Sequence, residues 1–246
     1  MYYDYLGTKI YYETVGTGEP IVFLHGWQSS SGSFSLLKQQ LKYTYKLVFI
    51  DFPPFGKSEK LNFAWSVETY ADMVKALLDH LKIQNFCILA HSFGGRVAIN
   101  ICTCYNIEVK KLILTGSAGL KPKKTILQVL NERKYKRLKQ KQQNGKNVNL
   151  QNFGSQDYKN LDPLMKQTFV KVVNYHQEDK VKQIKIPTLL IYGKDDKETP
   201  LYLAKKFKRL IKNSKLEIIK NTGHFCFINQ NELFYDYVIH FLTEKE

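Results

Sequence analysis

LAHSFGGRVAIN (residues 89–100) sets a serine between the end of one apolar run and a Gly-Gly pair that opens another. The residues before it, NFCILA (85–90), read as a strand, and those from about Phe93 to Tyr105 as a helix. A side chain at the apex of so sharp a turn projects clear only if its neighbours are small, as Ala90 and Gly94 are, with Gly95 allowing the new helix to pack closely. From these twelve residues alone, Ser92 is either a nucleophile or the N-cap of the helix.

Working outward, TKIYYETVG (8–16), PIVFLHG (20–26) and KLVFID (46–51) read as strands rich in β-branched and aromatic residues. A short helix over SFSLLKQQL fits between the last two. SVETYADMVKALLDHLK (66–82) puts Val67, Tyr70, Ala71, Val74, Leu77, Leu78 and Leu81 on one helical face, with Ser66 as N-cap. After the turn come KKLILTG (110–116) and, further on, PTLLIYG (187–193), a helix near 200–212, the strand KLEIIK (215–220) and the helix NELFYDYVIHFL. Strands alternating with helices imply a parallel sheet. The expected fold class is therefore α/β, a mostly parallel central sheet flanked by helices.

The alternation breaks between 117 and 186. That stretch is polar and helical in composition, interrupted at Gly145 and FGSQDY, and residues 120–185 hold sixteen Lys/Arg against five Asp/Glu. Eleven of the fifteen excess positive charges therefore lie there, and the remaining sequence is nearly neutral. The expected organisation is a first core part at 1–118, a basic helical cap at 119–185 over the carboxyl edge of the sheet, and a second core part at 186–246. Ile126, Leu127, Val129, Leu130 and Leu138 are the apolar residues expected to cover the site's mouth.

A nucleophilic serine needs a base and an orienting acid. Asp196 stands three residues past Gly193, the end of an expected strand, with Asp195 beside it, and His224 follows the next strand after Gly223. The order is Ser, Asp, His. With LHGW (24–27), DFPPFGKS (51–58), AHSFGG (90–95), GKDDKETP (193–200) and GHF (223–225), the sequence resembles the α/β-hydrolase superfamily over all but the middle stretch. It departs from the family's D-x-P-G-x-G-x-S at Pro54, and from G-x-S-x-G at Ala90.

The resemblance implies a catalytic triad of Ser92, Asp196 and His224, the family spacing G-x-x-D-x-x-x-P selecting Asp196 over Asp195. It implies an oxyanion hole from the backbone N–H groups of Trp27 and Phe93, with His25, Trp27, His91 and Phe225 as pocket candidates. The expected activity is cleavage of a small carboxylic ester through an acyl-enzyme on Ser92. Relatives with the same three groups also cleave C–C bonds, amides and N-terminal prolyl bonds, or run perhydrolysis, and those stay open. A non-catalytic binder on the same scaffold is the reading that the full set of three groups argues against.

Other signals point elsewhere or nowhere. Gly56-Lys57-Ser58 mimics the end of a P-loop, but the required earlier Gly is Asp51, and no G-x-G-x-x-G exists, so no nucleotide cofactor is expected. No HExxH or Cys/His cluster implies a metal. Cys87, Cys102, Cys104 and Cys226 show no paired spacing and are expected reduced. His176 could face substrate, His80 and His240 are expected to be surface or internally satisfied positions, and Arg96 is expected to be structural. No apolar run approaches the ~18 residues of a membrane helix, and the N-terminus lacks export signals, so a cytoplasmic address is expected. The basic run KPKKTILQVLNERKYKRLKQKQ (121–142) is a solvated helix face, an attractor of anionic small-molecule substrates, or a nucleic-acid or lipid surface. The last is the least expected. Oligomeric state is not legible.

Overall fold

The computed structural model describes residues 1–145 and 156–244. Eight strands form one sheet: β1 (Tyr2–Tyr5), β2 (Thr8–Val15), β3 (Glu19–Leu24), β4 (Tyr45–Ile50), β5 (Asn85–His91), β6 (Glu108–Thr115), β7 (Thr188–Gly193) and β8 (Ser214–Ile219). Their order is β1-β2-β4-β3-β5-β6-β7-β8. β1 and β2 pair antiparallel, as do β2 and β4, and every later pairing is parallel. The mostly parallel sheet read from the sequence is the sheet observed.

Because both faces of the central strands are covered, their sequences are continuous apolar runs rather than alternating ones. Residue parity then sorts the side chains. Val22, Leu24, Val48, Ile50, Ile88 and Leu114 enter one core, and Ile21, Phe23, Leu47, Phe49, Leu89 and Ile113 the other. The first core lies under α2 (Val67–His80), α3 (Phe93–Cys104) and a later helix at Leu201–Leu210; the second lies under α1 (Ser35–Leu41) and the C-terminal helix Asn231–Thr243.

The helix α2 begins where the sequence says it should. Ser66 Oγ accepts from the Thr69 N–H and Thr69 Oγ1 from the Ser66 N–H, each at 3.3 Å, closing a reciprocal cap. Between β6 and β7 run α4 (Ile126–Gln143), α5 (Gln156–Lys159), α6 (Pro163–Val173) and α7 (Glu178–Val181); α8 (Leu201–Leu210), α9 (Cys226–Asn229) and α10 (Asn231–Thr243) complete the chain. The interruption expected at FGSQDY falls partly outside the described residues.

Contacts between this middle segment and the sheet layers include those of α6, α7 and the turn between them, and that of the Lys123 N–H, which donates to the Tyr202 hydroxyl of the later helix Leu201–Leu210 at 3.0 Å. Met165 and Val172 are buried, and Thr168 Oγ1 accepts the Trp65 N–H at 3.2 Å. Arg96, in α3, is buried and donates through Nη1 to the Tyr175 carbonyl, while Gln177 Nε2 donates to the Arg96 carbonyl at 3.0 Å. Burial pushes the Arg96 guanidinium down to about 10, and the carbonyl gives the charge the partner it needs. The covering role expected of the apolar residues of α4 is not met at Ile126 and Leu130, which are 83% and 53% exposed.

The sheet also fixes where a site can form. From β3 the chain steps outward to β4, then crosses back to β5 and proceeds the other way, so the strand order reverses between β3 and β5. Ligands of open α/β sheets bind at the carboxyl ends of the strands at that reversal. Those ends are His25-Gly26-Trp27 and Ser92-Phe93.

Candidate active site

Ser92 occupies the turn from β5 into α3 with φ 50° and ψ −112°, a conformation that costs an L-residue roughly 1–3 kcal/mol and persists only when its surroundings fix it. Its N–H donates to the Thr115 carbonyl at 3.1 Å, and its carbonyl accepts from Gly95 and Ala118 at 3.0 Å each. A methyl group on Gly94 would stand 2.1 Å from the Leu24 carbonyl oxygen, and one on Gly95 1.9 Å from Ser117 Oγ. Only hydrogens fit, which is why the turn carries the Gly-Gly pair. The Ser92 side chain makes no cap hydrogen bond to α3, so the capping alternative is not what this serine does.

His224, in the loop between β8 and α9, donates from Nδ1 to Asp196 Oδ2 at 2.9 Å. The Asp196 side chain is 0% exposed and that of His224 12%. Of the two adjacent aspartates, Asp195 is exposed, its N–H spent on the Thr222 carbonyl at 3.0 Å. Asp196 Oδ1 accepts the N–H groups of Glu198 and Thr199 at 2.9 Å each, and Oδ2 accepts the Thr199 hydroxyl at 2.7 Å. Burial alone would raise the Asp196 carboxyl; the bonds from His224 and Thr199 outweigh it and hold the group below the usual carboxylate range.

The histidine lies over the strand next to the serine. A methyl on Gly116, the residue after Thr115, would be 3.1 Å from His224 Nδ1. On the other side, a methyl on Gly26 would be 3.3 Å from Ser92 Cβ. Ser92 and His224 share this corner without a hydrogen bond between their side chains, a separation that substrate binding commonly closes. Among the described residues, neither the Trp27 nor the Phe93 backbone N–H has an acceptor. Two donors therefore stand unused beside the serine.

The four pocket candidates divide. His25 and His91 are 0% and 1% exposed and line nothing that a substrate reaches. His25 Nδ1 donates to the Gly26 carbonyl at 2.7 Å while Nε2 accepts the Phe52 N–H at 2.8 Å, so its ring braces the Trp27 loop. His91 Nε2 donates to the His224 carbonyl at 3.1 Å, its ring 4.6 Å from that of His224. Burial pushes the two imidazoles down to about 4 and about 3, leaving both neutral. Phe225 is 44% exposed beside His224, and Trp27 is half-buried.

The Trp27 ring meets Phe55 at 4.9 Å, Phe93 at 5.6 Å and, from α6, Phe169 at 5.4 Å. Phe55 lies within the motif DFPPFGKS (51–58), which assigns it no role, and nothing in the neighbourhood of Phe169 ties it to Ser92. Thr199 carried a local signal. An Asp followed three residues later by Thr just before a helix is a turn in which the carboxylate takes backbone N–H groups. His176 is exposed, as are His80 and His240. The cysteines are unpaired, with Cys87 and Cys226 buried and Cys104 exposed.

Comparison with known proteins agrees with this geometry. The sequence profile of the alpha/beta hydrolase fold matches residues 19–153, and that of the TAP-like proteins residues 162–246. The chain is 28% identical to the AB hydrolase superfamily protein YisY of Bacillus subtilis, covering 91% of each. It is 25% identical to the 2-hydroxy-6-oxo-6-(2'-aminophenyl)hexa-2,4-dienoic acid hydrolase of Metapseudomonas resinovorans, covering 97% of this chain and 89% of the relative. Among solved structures, an esterase from Exiguobacterium antarcticum superposes with a TM-score of 0.78 at 23% identity over 97% of both chains. A strand-to-helix serine at the reversal point, within an eight-stranded sheet of this order and a chain matched over more than half its length, makes this protein a member of the alpha/beta hydrolase superfamily.

Proposed function

We propose that the protein is a serine hydrolase cleaving small carboxylic esters through an acyl-enzyme on Ser92. The observation that carries this reading is the His224–Asp196 bond of 2.9 Å at the same corner of the sheet as the strained serine. With Nδ1–H given to Asp196, Nε2 is the free base. It takes the Ser92 proton as Oγ attacks the ester carbonyl, and the N–H groups of Trp27 and Phe93 receive the negative charge on the carbonyl oxygen. Collapse of the tetrahedral adduct expels the alcohol, which collects the proton from His224. Water, activated by the same imidazole, then releases the acid and restores Ser92.

The middle segment, 119–185, acts in this reading as a cap. Phe169 packed on Trp27 supports that role and gives the site an aromatic wall, suited to an apolar acyl or alkoxy group. The likeness to a dienoic acid hydrolase favours one second reading, C–C bond cleavage by the same three groups. A screen over p-nitrophenyl esters of rising chain length beside β-diketones, with Ser92→Ala as blank, separates the two. The expected result is ester turnover that falls by about 10³-fold or more in Ser92→Ala, on the scale of triad knockouts, and labelling of Ser92 by a fluorophosphonate. Unchanged turnover in that variant overturns the assignment, and β-diketone cleavage with every ester refused moves it to C–C hydrolysis.

A further inference from the structure

Asp196 Oδ2 is shared. It faces His224 Nδ1 at 2.9 Å and takes the Thr199 hydroxyl at 2.7 Å, while Thr199 Oγ1 itself lies 3.5 Å from His224 Nδ1. We infer that Thr199 is a positioning residue, its hydroxyl keeping Asp196 ionised and aiming Oδ2 at the imidazole. The inference rests on the proposed hydrolase reading for its effect on rate, but not for its effect on the Asp196–His224 pair.

A buried carboxylate stays charged only if its lone pairs are occupied. Two backbone N–H groups fill Oδ1, and without the hydroxyl Oδ2 would be left with the imidazole alone. The hydroxyl hydrogen is committed to Asp196, so Thr199 Oγ1 turns lone pairs toward the ring edge and resists its rotation. Thr199 is well placed to hold still, being buried and followed by Pro200, which confines the preceding residue to extended backbone. The other titratable groups facing the pair are His91 at the end of β5, Tyr192 in β7 and Cys226 in α9. Burial keeps all three neutral, the Cys226 thiol being pushed up to about 11. The pair's electrostatics therefore rest on the few donors around Asp196.

The test compares Thr199→Val, which keeps the shape and removes the hydroxyl, with Thr199→Ser, which keeps the hydroxyl, after thermal melts establish that both fold. On a p-nitrophenyl ester, Thr199→Val should lose about tenfold in kcat, the scale of a hydrogen bond to a charged group, with KM within about twofold. The pH profile of kcat/KM should also be displaced, because the carboxylate facing the imidazole has lost one of its donors. The low-field proton resonance of the Nδ1–H should be displaced, and Thr199→Ser should restore all three. An unchanged kcat and profile in Thr199→Val overturns the inference, as does a Thr199→Ser protein that behaves like Thr199→Val. If fluorophosphonate fails to label Ser92 in the unmodified protein, the hydrolase reading fails, and the resonance decides the role of Thr199. Displacement and restoration support it, and no displacement overturns it.

Discussion

His91 directly precedes the serine and never meets the substrate side of the turn, yet it holds the carbonyl of His224, 133 residues further along the chain. Its protonation is coupled to stability. Burial takes its imidazole down to about 3, against ~6.5 in an unfolded chain. The unfolded state therefore binds the proton first as pH falls, so the stability it contributes is complete above about 6.5 and is lost progressively toward about 3. One such group gives a slope of at most ~1.4 kcal/mol per pH unit. His91→Gln, which keeps a donor for the His224 carbonyl, should flatten the pH dependence of the urea midpoint between about pH 6.5 and 4.5 by that order; an unaltered slope would exclude a neutral His91. The candidate residues Ser92, Asp196 and His224 stand out in short motifs because each follows a strand and has small or turn-forming neighbours. The supporting partners of His91 were not, since a contact with the carbonyl of residue 224 leaves no local trace.

Secondary-structure elements were legible in proportion to how completely the sheet buries them. β3, β4, β5 and β7 each hold a run of at least four apolar residues and stand within a residue or two of their expected spans. β1 went unread because Tyr2–Tyr5 is a four-residue antiparallel edge, alternately half-buried and exposed, too short for its alternation to mark it. Helix α2 is the opposite case, announced by both its apolar face and its first residue. The reciprocal Ser66–Thr69 cap implies that Ser66→Ala costs about 1 kcal/mol, which for a chain of this size is a fall of roughly 2–4 °C in Tm. A melting temperature unmoved by the substitution would mean that the cap adds nothing beyond what packing of Tyr70, Val74 and Leu77 already provides.

At the scale of the whole molecule the charge is lopsided, with eleven of fifteen excess cations between residues 120 and 185. The sequence located them but left their orientation unread, because polar helices have no buried face that reports which way they point. If the basic segment steers anionic substrates, kcat/KM for an anionic ester relative to a neutral one should fall severalfold between about 0.02 and 0.5 M salt, as the Debye length shrinks well below ~10 Å. A flat ratio would leave α4 as a solvated face. The same segment has a consequence for synthesis. β6 finds its parallel partner β7 only after roughly seventy further residues, which at 5–20 residues per second takes a ribosome about 4–15 s. For that interval Leu112, Ile113 and Leu114 lie on an unpaired edge, so the nascent chain is most exposed to wrong association just before the strand that brings Asp196 arrives.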